Sequence, residues 1–166
     1  MSASPLAVTF ARVEGQHLAD LIDQFQQVLA DEAARDDPAV RRLTPGVYPD
    51  EPDASDQFAA ATQSDLLDRR KHDARTVLAA LHAFVDDHST SGSVEQNDDV
   101  EVFIPPHDID AWLRTFAALR LVLASRLGIE TQSDHRPHDP HFGVYDWLGY
   151  RLELLLEAAN DAEDPL

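Results

Sequence analysis

Cysteine is absent from this chain, lysine occurs once, at Lys71, and glycine only six times in 166 residues. Without cysteine there is no disulfide framework, thiol nucleophile or thiolate metal site. Scarce glycine leaves few places where backbone amides could cradle a ligand, and no G-x-S-x-G, phosphate-binding loop or H-E-x-x-H occurs. Apolar runs stay well short of the roughly 18 residues of a membrane span. The opening "MSASPLAVTF" lacks the basic start and long apolar stretch of a signal peptide. A soluble, cytoplasmic protein is expected. Basic charge is also scarce: 31 Asp and Glu face 13 Lys and Arg, a net charge of −18. Nucleic-acid affinity comes largely from Lys and Arg displacing counterions, so this balance argues against nucleic acid. The same field disfavours anionic membranes. The densest basic group, Arg69-Arg70-Lys71, sits among Asp65, Asp68 and Asp73. A protein partner is the expectation, and no feature fixes an oligomeric state.

What is present is enough for one domain with its own core. Leu6, Val8 and Phe10 alternate with small residues, which predicts a strand over 6–11, ended by Gly15. From Gln16 the period becomes helical, with Leu18, Leu21, Ile22, Phe25, Val28 and Leu29 on one face to about Ala34. Thr62 and Asp65 approximate a capping box, predicting a helix from there to about Asp87, with one or two helical turns before it at 54–61. "VEVFIP" is a second strand. Each strand needs a partner for its backbone groups, so 6–11 should pair with 100–104. Pro105-Pro106 suits a first helical turn, and Gly128 a C-terminal cap, of a helix carrying Trp112, Phe116, Leu119 and Leu123. A last helix buries Val144, Tyr145, Leu148, Leu152, Leu155, Leu156 and Ala159. Segments 89–99 and 130–140 read as mobile linkers, and the C-terminal tail as frayed. The order of elements lacks the strand–helix alternation of a parallel sheet. It predicts a mainly α fold, a single domain with a four-helix bundle-like core and a small two-stranded β ribbon.

Chemistry-bearing residues are few. "DHRPHDPH" spaces His135, His138 and His141 three apart, with Asp134 and Asp139 between, a donor set suited to zinc, nickel or copper. Pro137 and Pro140 keep the segment from being a helix, so the spacing does not put the rings on one face, and it matches no strong zinc pattern. The expectation is no cofactor and no catalytic residue; a metal-dependent enzyme or metal sensor is the reading these histidines alone would support. Arg120 lies four residues after Phe116, so its base points at the apolar stripe and its guanidinium must snorkel or pair. Candidate partners are Tyr48, Asp50 and Glu51 in the loop "RRLTPGVYPDEPDASDQF", or Asp146 on the last helix. In that loop Leu43, Val47, Tyr48 and Phe58 are expected to pin the chain to the bundle, with Tyr48 buried and paired, while the acids stay wet. Trp147 falls off the main stripe and with Tyr150 could form an exposed aromatic patch, a common basis of binding hot spots.

Three stretches together resemble one family. They are the loop "RRLTPGVYPDEPDASDQFAAATQSDL", the helix "AWLRTFAALRLVLASRLGI" and the opening "VYDWLGY" of the last helix. The chain resembles, from Val8 to about Ala158, the actinobacterial domain-of-unknown-function family number two thousand and seventeen. The resemblance implies a small, helical, cytoplasmic protein encoded beside the Clp-protease adaptor ClpS, some members being labelled transcriptional regulators. The family has no established catalytic residues, so the resemblance carries none over to this chain. Ala117-Ala118 stand where the family usually has Asn-Asp. The resulting expectation is a non-enzymatic protein-interaction or adaptor-like protein linked to Clp-dependent proteolysis, with a transcriptional regulator as the alternative.

Overall fold

The computed structural model describes residues 4–44, 55–85 and 98–163. Two strands, β1 (Leu6–Ala11) and β2 (Asp99–Ile104), pair antiparallel in the register Leu6↔Ile104 to Ala11↔Asp99. This is the ribbon that the alternating apolar pattern predicts. Its inner face, with Phe10, Val102 and Ile104 buried, lies on the core, while Phe103 and Glu101 point out.

Four long helices surround that face: α1 (Arg12–Ala30), α3 (Ser55–Ala80), α5 (Ile109–Leu127) and α6 (Gly143–Glu163). Two short ones, α2 (Pro38–Arg42) and α4 (His82–Val85), fill the corners. The fold is mainly α with a small ribbon, as the sequence predicts. α3 packs on α1 and α5, and α5 on α6. The centre is aromatic. Trp112 stacks on Phe10 with ring centroids 6.2 Å apart, Phe116 tilts against Trp112 at 5.8 Å, and Phe84 meets Phe10 edge-on at 6.3 Å.

α1 begins at Arg12, directly after β1, so Gly15 does not end the strand but lies inside the helix. A Cβ there would overlap the Phe84 ring, so the position requires glycine for close approach rather than for a turn. α3 starts at Ser55, which places Thr62 and Asp65 in its interior rather than at its cap. Alanines 59–61 favour helix strongly enough to carry it past that signal. α5 ends as expected: Gly128 takes a left-handed φ of 72°, and the Ile129 N–H reaches back to the Ala124 carbonyl at 2.8 Å.

Leu43 is buried, whereas Phe58 is 76% exposed and pins nothing. Tyr48, Asp50, Glu51 and Val47 lie outside the described residues, as do residues 89–97 of the first linker. Between α5 and α6, residues 130–140 contain a short 3-10 turn at Gln132–Asp134. There the Asp134 carboxylate accepts the Thr131 and Glu130 N–H groups, which hold its pKa below the usual carboxylate value.

Candidate functional site: the seam between α6 and the β1–α1 corner

Among the described residues one edge of β1 pairs with no other strand. The Arg12 N–H donates to the Asp98 carbonyl, so even-numbered residues of β1 bond to β2 and odd-numbered ones point their backbone groups outward. Two of those outward groups are met by side chains. Arg151 on α6 donates to the Thr9 carbonyl at 3.0 Å, and the Ala11 N–H donates to Glu14 Oε2 at 3.1 Å. An exposed strand edge invites pairing with another chain, and here charged side chains close part of it.

Glu14 is the hub. Its Oε1 accepts the Trp147 indole N–H at 3.0 Å, and its Oε2 accepts from Arg151 at 2.6 Å. Burial pushes the Glu14 carboxyl up, but the Trp147 N–H, the Ala11 N–H and Arg151 outweigh it and hold it below its ordinary value. A carboxylate held below its ordinary pKa with both oxygens engaged is a poor proton shuttle and a good clamp. The Arg151 guanidinium also lies 4.7 Å from the Phe10 ring and 5.6 Å from that of Trp147. This clamp joins β1, α1 and α6. On one side of it a cleft of about 190 Å³ opens between His17, Leu21, Val144 and Trp147. On the other a groove of about 300 Å³ runs between Ala7, Thr9, Leu154 and Ala158.

The sequence-predicted residues fall around this seam unevenly. Trp147 is half-buried, with its N–H bound to Glu14, while Tyr150 is 59% exposed. Leu154, at 38%, continues the row, since positions 147, 150 and 154 share one stripe of α6. Val144 and Leu156, expected in the core, are exposed, because α6 buries only a narrow stripe centred on Leu148 and Leu155. Arg120 is anchored, but not by Asp146. Its guanidinium sits over the Tyr145 ring at 4.3 Å and against Gly149, and its Nε has no hydrogen-bond partner among the described residues. Asp146 instead meets His135 Nε2 at 2.6 Å, with His135 packed on Phe142 and Tyr145. His138 takes a positive φ of 67° and faces solvent, and His141 packs edge-on to Phe142. Among the described residues no three His, Asp or Glu side chains converge as metal ligands, so the three histidines are not gathered.

Glu14, Arg151 and Leu154 were not singled out by sequence reasoning. The only local signal was the carboxylate at the third position of α1, three residues after Ala11, which fits the reciprocal half of a capping box.

A mainly α bundle with a two-stranded ribbon at one corner is the class this geometry defines. The chain belongs to the family described as a domain of unknown function, DUF2017, whose model matches residues 2–159. Among curated proteins and solved structures, none matches the chain closely enough to show kinship. Among the described residues no helix is long and apolar enough to cross a membrane.

Proposed function

We propose that this chain is a non-enzymatic, adaptor-like protein that presents the outer flank of α6 to a protein partner. The observation that carries this reading is the row Trp147, Tyr150 and Leu154, two of them exposed, on a helix whose inner side is clamped by Glu14 and Arg151. Exposed aromatic and aliphatic side chains at i, i+3 and i+7 on a rigid helix suit recognition by burial into a partner's apolar groove. Glu153 and Glu157 border the row, in a chain of net charge −18, so the fitting partner surface is apolar with a Lys- or Arg-rich rim. The acidic proline loop, with Tyr48, Asp50 and Glu51, is a second docking element of the same proposal.

The gene neighbourhood implied by the family resemblance makes the Clp adaptor and its unfoldase the first partners to assay. Purified chain is titrated against each by calorimetry, with Tyr150→Asp and Leu154→Glu as controls. Saturable binding that both substitutions abolish supports the reading. Binding indifferent to both substitutions removes the α6 flank, and no binding to either component removes the Clp link.

A further inference from the structure

The basic run Arg69-Arg70-Lys71, surrounded by acids in the sequence, is divided by the fold. Lys71 turns to Asp68 at 3.1 Å. Asp73, buried on the inner side of α3, receives two bonds from Arg114 of α5, Nε at 2.8 Å and a terminal nitrogen at 3.0 Å. Asp110 adds a weaker contact to the same arginine at 4.0 Å. The two carboxylates on the cleft, Asp68 and Asp73, are therefore already matched. Arg69 and Arg70 hydrogen-bond to no described residue and pair with no described carboxylate. Arg70 is also half-buried. Burial lowers its affinity for its proton, Asp73 opposes that, and Arg114 adds to it.

An open cleft of about 670 Å³ lies over these groups, its polar walls being Arg69, Arg70, His72 and Arg114 with Asp68 and Asp73. In a chain with 31 acids and 13 bases, two guanidiniums on one cleft that no carboxylate bonds directly run against the charge balance of the whole. A half-buried cation whose nearest carboxylate is bonded to another arginine costs desolvation free energy that a bound anion would offset. A planar carboxylate is satisfied by one guanidinium fork. A tetrahedral phosphate accepts from several directions at once, as Arg69, Arg70 and His72 around a cleft would offer.

We propose that the cleft between α3 and α5 binds the phosphate group of a small molecule, with Arg70 as the direct ligand and Arg114, fixed by Asp73, as its neighbour. Asp73 is a positioning residue here, holding Arg114 at the rim.

The test titrates the full chain at low salt with pyrophosphate, citrate and a short single-stranded DNA, following heat by calorimetry and arginine Nε–H signals by NMR. The expected result is saturable pyrophosphate binding tighter than about 1 mM, with shifts at Arg70 and Arg114. It should weaken at least tenfold in Arg70→Ala and stay unchanged in Arg136→Ala, an exposed arginine elsewhere. Arg70→Lys keeps the charge but loses the fork. It should fall between the two, and it guards against a misfolded alanine variant. The proposal is overturned by an absence of saturable pyrophosphate binding, by citrate binding as tightly, or by DNA binding alone. An equal loss in Arg70→Ala and Arg136→Ala, the mark of diffuse electrostatics, also overturns it.

Discussion

At Glu14 one carboxylate takes three donors, the Ala11 N–H, the Trp147 indole and Arg151. Its pKa is lowered from the ordinary 4.5, so the stability it contributes is present above that value and lost as pH falls through the lowered one. Glu14→Gln should therefore cost about 1–2 kcal/mol at neutral pH. The gap to the parent chain should close as pH falls through that lowered value, measured as urea midpoints across pH. A gap that persists in acid would contradict the assignment. Gly15 gives a second test at this scale. Gly15→Ala should cost about 1–3 kcal/mol by overpacking against Phe84, and Phe84→Leu in the same chain should recover part of it. Neither role was legible from sequence. Gly15 read as a strand breaker because glycine usually punctuates, and the ring that demands it lies 69 positions away. Glu14 and Trp147 are 133 positions apart, and only the fold brings them together.

The elements were more legible than their ends. Alternation over 6–11 and 100–104 marked the ribbon, because a half-buried strand has no other way to sort its side chains. Gly128 marked the end of α5, because a left-handed φ strongly favours glycine; Gly128→Ala should cost about 1 kcal/mol. The start of α3 was missed because a cap-like pair caps only where the preceding residues leave the helix, and here they do not. α6 was found, but its buried side was drawn too wide. Its inward face meets α5 and the edge of β1, so Val144 and Leu156 stay wet and the charged Arg151 takes an interior place over Phe10. Arg151→Met keeps the apolar stem and removes the bonds to Thr9 and Glu14. It should speed amide exchange in α6 while α5 keeps its protection, and equal loosening of both helices would contradict a clamp local to the seam.

For the molecule as a whole, composition and pattern were sufficient for a mainly α domain with one ribbon, and the family follows from residues 2–159. The ties that fix its shape were not readable. Asp73–Arg114 joins α3 to α5, and Asp37–Arg126 joins α2 to α5. With 31 acids for 13 bases, the sequence alone could not assign which acid meets which arginine. The same surplus hid Arg70, whose lack of a directly bonded carboxylate stands out only after the other partners are assigned. The metal-like spacing of His135, His138 and His141 dissolved for a related reason: His135 turns inward to Asp146, and His138 turns out. On the proposed reading the α6 flank is where a partner docks. Site-specific photo-crosslinking in cells tests it most directly, with the probe at Tyr150 or Leu154 and, as control, at the exposed Gln132. One discrete adduct is expected from the two α6 positions, lost when Glu153 and Glu157 are changed to lysine, and none from Gln132. The same adducts from all three positions, or none from α6, would contradict it.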